Sequence, residues 1–120
     1  MPDNNMSPVA AFLALEYQDA EKAARAGRID QAWHHLERAH IVAQTRLLAH
    51  CRSHWTMLLF AVRLGDWREG AGQIFRLALA PLGNLTGRLP VGNSGRANVS
   101  AFVAMEIPSD LRSILDTDSE

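Results

Sequence analysis

Between Asp30 and Leu64 the chain has neither glycine nor proline. Ordinary globular helices run to about 20 residues, so one helix over that whole stretch is too long for so small a domain. The chain must therefore turn without a breaker residue. Gln44-Thr45 is the best place, because the Thr45 hydroxyl can cap the helix that follows. The middle of the sequence then reads as an antiparallel hairpin of two helices, about 30–44 and about 45–64.

Punctuation on either side sets the remaining elements. Ser7-Pro8 opens a first helix, with Ser7 as N-cap and Pro8 at the first helical position. Val9, Leu13, Glu16, Ala20 and Ala23 form its inward stripe. Gly27 closes it and Asp30 caps the second helix, whose inner stripe is Ile29, Trp33, Leu36, His40 and Val42/Ala43. The third helix places Leu47/Leu48, Cys51, His54/Trp55, Leu58 and Val62 inward and ends at Gly65. Asp66-Trp67-Arg68-Glu69 is a capping box for a fourth. That helix turns Trp67, Ala71, Ile74, Phe75 and Ala78 inward and stops at Pro81-Leu82-Gly83. Trp33, Trp55 and Trp67 all read as core.

Residues 83–108 are rich in Gly, Pro and Asn yet carry Val91, Val99, Phe102, Val103 and Met105. Such a segment is expected to be an ordered strap docked on the helices by those side chains. Ser109 caps a short helix, 109–115, and 116–120 should fray. The expected fold is all-α: a single domain over 1–120, with a small antiparallel bundle of about four helices at 7–82. The first two helices look like a tetratricopeptide-type hairpin, and a long extended C-terminal strap follows the bundle.

Composition excludes several classes of function. No apolar run approaches the roughly 18 residues of a membrane span. Met1-Pro2-Asp3-Asn4-Asn5 has no signal-peptide character, so a cytoplasmic protein of bacterial type is expected. One cysteine, Cys51, rules out a disulfide scaffold. Charge is segregated: residues 1–21 sum to −4, 22–96 to +7 and 97–120 to −4. The central bases sit at helical spacings without a dense run, so a solvated helix surface is preferred over a nucleic-acid site.

Five histidines remain as the chemical signal, four of them in the window 35–54. His40 lies five residues before the Thr45 turn and His50 five after it, at one height. At ~1.5 Å rise per residue, Glu37 lies ~4.5 Å below His40 and His54 ~6 Å below His50, each pair on one helix face. An antiparallel first helix brings Glu16, on its own apolar stripe, level with His40. A carboxylate there needs a metal or a histidine as partner. Glu37, His40, His50, His54 and Glu16 are therefore candidate ligands for a divalent transition metal. Zn is the first choice, with Fe, Ni, Co or Cu as alternatives. His34, His35, Arg38 and Cys51 are weaker candidates. His34 lies at the edge of the stripe, and His35 is expected to face away from His40, toward solvent or the fourth helix. Arg38 can orient a carboxylate or simply cover the surface, and Cys51 points about 100° from His50, into the core. Ser94 and Ser100 have no evident base, and Gly92-Asn93-Ser94-Gly95 reads as a tight turn rather than a phosphate loop. No catalytic set emerges.

The run Ala32-Trp33-His34-His35-Leu36-Glu37-Arg38-Ala39-His40-Ile41 with Gln44 resembles the small bacterial proteins grouped as domain of unknown function 3703. So do His50-x-x-x-His54-Trp55-x-Met57-Leu58, the segment Gly87 to Ser100, and Met105 through Leu111. The likeness covers about residues 12–112 and departs at Arg96, where a glycine is expected. It implies a small cytoplasmic protein with a metal-handling role and brings no established catalytic residue. Three functions compete: a soluble metal chaperone, buffer or resistance accessory; a helical protein-interaction module, with a protein partner or a homodimer and structural histidines; and a metal-dependent enzyme.

Overall fold

The computed structural model describes residues 6–118. The signal-peptide reading of Met1–Asn5 and the last two residues of the frayed tail, Ser119 and Glu120, lie outside the described residues. Helix α1, Pro8–Arg25, begins as its sequence dictates: the Ser7 side chain accepts a hydrogen bond from the Ala10 amide, and proline occupies the first turn. Its buried residues are Val9, Leu13, Glu16, Ala20 and Ala23, the stripe expected from spacing alone. Helix α2, Ile29–Ala43, runs back along it and buries Ala32, Trp33, Leu36, Ala39, His40, Val42 and Ala43. Asp30 is not its N-cap. Arg28 holds that position without a side-chain bond, and Asp30 lies in the first turn.

The turn without a breaker residue falls where it must. Helix α3, Leu47–Leu64, starts after Gln44-Thr45-Arg46. Arg46, not Thr45, is its N-cap, and no side chain closes the cap. Helix α4, Trp67–Thr86, is capped by Asp66, which accepts from the Glu69 amide. The box is only half made, because the Glu69 carboxylate is used elsewhere. This helix continues through Pro81 and Gly83 to Thr86, ending on left-handed Gly87, beyond the stop expected at Pro81. Asn84 in the extra turn donates to the Gln44 carbonyl and thereby ties α4 to the α2–α3 turn.

Among the described residues the chain is all-α, with five helices, none long and apolar enough to cross a membrane. Helix α5, Ser109–Asp118, is longer than expected. Its Leu111 is fully buried with Val9, Leu13, Ala39, Val42 and Ile107 in one core cluster, while Trp33, Leu36, Met57 and Phe60 lie in another. The tail does not fray before Asp118, whose carboxylate accepts from the Val9 amide at the start of α1 and pairs with Arg46. Asp110 pairs with Arg38. Two acids of the C-terminal segment thus pair with bases of the middle, while Arg28, Arg52, Arg68 and Arg88 lie on the exposed surface.

Three expected features change. The segment after α4 is held mainly by polar bonds, with Ile107 as its buried apolar anchor, rather than by Val91, Phe102, Val103 and Met105. Gln44 donates to the Pro90 carbonyl and accepts from the Gly92 amide, while Asn93 donates to the Ser100 and Val103 carbonyls. Phe102, Val103, Met105 and Val91 stay exposed. The inward faces of α3 and α4 are also different. α3 buries His50, Ser53, His54, Met57, Phe60 and Ala61, and α4 buries Glu69, Gly70, Gln73 and Ala80. Of the stripes read as inward, His54 is buried and Leu58 half-buried, while most of the apolar residues lie on the outside. Trp55 and Trp67 are exposed with them, Cys51 is half-buried, and only Trp33 of the three tryptophans is core.

Truncating Leu111 to alanine should cost about 2–5 kcal/mol, as for other fully buried leucines. Phe102→Ala should stay within about 0.5 kcal/mol, as surface changes do. Chemical denaturation of both variants checks this assignment of which C-terminal residues hold the domain together.

Candidate metal centre

Helix spacing brings three rings to one point. His40 near the end of α2 and His50 and His54 in the first two turns of α3 meet through their Nε2 atoms. The separations are 3.2 Å for His40–His50, 3.2 Å for His40–His54 and 3.1 Å for His50–His54. All three rings are buried. They lie close enough together to hold one metal ion.

The partners of the outer nitrogens decide what these contacts are. His40 Nδ1 lies 2.8 Å from the Asn93 carbonyl, which can only accept. His50 Nδ1 lies 2.7 Å from Asn84 Oδ1, and that amide is oriented because its nitrogen donates to the Gln44 carbonyl. His54 Nδ1 lies 2.8 Å from Gln73 Oε1, while the Gln73 nitrogen donates to Glu69 Oε2 and to the Gly95 carbonyl. Each ring must therefore donate from Nδ1. A neutral imidazole has one N–H, so every Nε2 carries a bare lone pair. The three inner contacts are acceptor against acceptor and cannot be hydrogen bonds.

Protonation offers little relief. Burial holds the His40 imidazole well below its usual titration range, and the neighbouring His54 and His50 push it the same way. Burial lowers His50 as well, and lowers His54 to about 4. The donor set fits a transition metal. Three neutral nitrogens, each with its second nitrogen fixed by an oxygen acceptor, is the arrangement that orients histidine ligands. Two ligands of a tetrahedral zinc, each at about 2.0–2.1 Å, are about 3.3 Å apart. The observed separations fall just short of that. Against the rings lies a cavity of about 50 Å³, bordered by Arg76, Leu79, Ala80, Leu89 and Pro90. It is large enough for a water-sized ligand.

Polar residues far apart in the sequence support this cluster. Glu69 is buried and its carboxylate accepts from Gln73 Nε2, from the Ala97 amide and from Arg96 Nε. Arg96 also stacks on Trp33, 3.8 Å from its ring. Its φ is not positive, so the arginine where the resemblance led to a glycine needs no left-handed backbone. Gly95 does: φ is +84°, and a Cβ there would lie 2.7 Å from the His40 ring.

The other expected ligands lie elsewhere. Glu37 is not brought to the three rings, and its nearest ion-pair partner is Arg96, at 3.9 Å. Glu16 is buried on its stripe as expected, but its partners are His35 at 2.6 Å and Arg38 at 3.2 Å. His35 therefore turns toward α1, neither to solvent nor to α4. Arg38 meets the same Glu16 carboxylate from α2. His34 is exposed, and Cys51 stays outside the cluster. Sequence reasoning gave no site role to Gln73, Asn84 or Glu69, the last being read only as part of a helix cap. A polar i, i+4 pair, Glu69 and Gln73, interrupting the apolar pattern of α4 was the signal available.

These features define an all-α protein with a buried three-histidine cluster. The chain belongs to the family described as protein of unknown function DUF3703, which it matches over residues 7–115. No curated protein and no solved structure matches it.

Two outcomes test the geometry. Gly95→Ala should destabilise the fold by about 1–3 kcal/mol, from the strained backbone and the clash with His40. An exposed control such as Arg68→Ala should not. The pH dependence of the metal-free protein has a fixed sign. An unfolded histidine takes up its proton near ~6.5, whereas folding lowers all three. The unfolded chain therefore binds more protons below that pH. The melting temperature should be flat above pH ~6.5 and fall progressively toward pH ~4. A melting temperature unchanged across that window would contradict the lowered values.

Proposed function

We propose that the protein binds one divalent transition metal ion, zinc in the first instance, through Nε2 of His40, His50 and His54. It would serve as a carrier, buffer or resistance accessory for that metal. The observation that carries this reading is the orientation of the rings. A buried set of three lone pairs facing one another is unfavourable by itself and is relieved by a cation. Imidazole nitrogens suit zinc and its neighbours better than calcium or magnesium. Purely structural histidines would turn an N–H toward a neighbour, and these three have spent theirs on outer acceptors.

Three protein ligands leave the fourth tetrahedral position to a small molecule on the cavity side. A closed structural zinc site usually has four protein ligands, whereas three plus an exchangeable ligand suits transfer or catalysis. Transfer is preferred, since among the described residues no candidate nucleophile or general base pairs with the cluster. Glu37 and Glu16 are proposed as non-ligands.

Isothermal titration of the untagged protein with Zn²⁺, Co²⁺, Ni²⁺ and Cu²⁺ tests this reading. One ion per chain is expected. His40→Gln, His50→Gln and His54→Gln should each abolish tight binding, and Glu37→Gln should leave it unchanged. Asn84→Ala and Gln73→Ala should weaken it by about 10–100-fold, as for other residues that orient a ligand. Equal affinity in the wild type and the three histidine variants would remove the reading.

A further inference from the structure

The apolar stripes of α3 and α4 are written in the spacing that helices use to pack on helices, yet none of the described residues covers them. On α3, Leu48, Trp55, Leu59 and Val62 are exposed, and on α4 so are Trp67, Ile74, Phe75, Leu82 and Leu85. Alternating steps of three and four link Leu48, Cys51, Trp55, Leu58 and Val62. The same steps link Trp67, Ala71, Ile74 and Ala78. Such steps make the seam of packed helices. We propose that this face is the contact between two copies of the chain, joined about a twofold axis into a four-helix layer.

The two stripes share one side of the hairpin. Gly70 marks the seam between the helices, facing Leu58 and Ala61. At 100° per residue, each stripe centre lies roughly a quarter turn from that seam. The helices run antiparallel, so opposite senses of rotation carry both stripes to the same side. The other side holds the histidines, Glu69 and Gln73.

The size of the face favours a stable partner. Leu48 is 83% exposed, Leu85 76% and Trp67 69%. With about 150–250 Å² for an aromatic side chain and somewhat less for an aliphatic one, the nine, each about half exposed or more, together present on the order of 1,000 Å². The largest patch on a free monomer is about 300–600 Å², and each partner in a standard interface gives up about 800 Å².

The chemistry of the face favours a second copy. No charged residue lies within the stripes, so an identical surface meets no repulsion there. The bases at its edge on α3 are already engaged: Arg52 lies 4.7 Å from the Tyr17 ring, and Arg63 pairs with Glu21 at 3.0 Å. A membrane surface fits less well. Interfacial helices keep a basic face in water, and here the opposite face of each helix is committed to the core.

Sedimentation equilibrium of the untagged full-length protein at micromolar concentration should give twice the chain mass of 13.2 kDa. Leu59→Glu and Ile74→Glu should each give the single-chain mass with unchanged helical circular dichroism, and Leu15→Glu on α1 should leave the dimer intact. A check without substitution uses Trp55 and Trp67: dilution should shift their fluorescence to the red with the same midpoint as the mass. A wild type that stays monomeric, that binds phosphatidylglycerol vesicles as a monomer, or that stays dimeric as Ile74→Glu would overturn the proposal.

Discussion

Three imidazole lone pairs pointed at one another in a buried space are the constraint around which the rest of the structure is arranged. Left free, the rings would rotate or exchange a proton to give one of these nitrogens a hydrogen. They are prevented because each Nδ1 is held by an acceptor that has no alternative role. The acceptors come from Gln73 and Asn84 on α4 and from the Asn93 carbonyl in the segment beyond it. Those groups are fixed in turn by Glu69, Gln44 and Gly95. The fourth helix and the irregular segment therefore act as the outer support of a cluster whose three histidines all lie in the α2–α3 hairpin.

That arrangement explains why this small domain spends so much of its interior on polar groups. Glu69, Gln73, Gln44 and Asn93 are all buried, and each has its hydrogen-bonding capacity largely used. A network of this kind specifies one geometry, because any lost partner leaves a buried polar group unmatched at about 1–3 kcal/mol. It also explains why α4 runs on through Pro81. The added turn delivers Asn84 to both His50 and Gln44.

The parts of the fold that were legible in the sequence are those governed by local rules. The α1 stripe, the Ser7 and Asp66 caps and the turn near Gln44 follow from spacing and capping chemistry. The meeting of His40, His50 and His54 follows from the same hairpin arithmetic. Glu37 and Glu16 were misplaced because helix spacing fixes the height of a side chain and not the partner it prefers. Arg38 and His35 reach Glu16 from α2, and Arg96 arrives beside Glu37 from a segment more than fifty residues away. The faces of α3 and α4 were inverted for a more general reason. An apolar stripe shows that a surface is to be covered, without showing whether the cover comes from the same chain, and here the chain's own interior takes the polar sides.

Nitrogen-15 NMR of the histidine side chains, recorded on the metal-free protein and then with one equivalent of zinc, tests the central claim most directly. The account predicts that His40, His50 and His54 are neutral at pH 7, each with its proton on Nδ1. On adding zinc, only their three Nε2 resonances should move, while His34 and His35 keep theirs. A proton on any of those Nε2 atoms in the metal-free protein, or zinc shifts at His35 in place of His40, would contradict it.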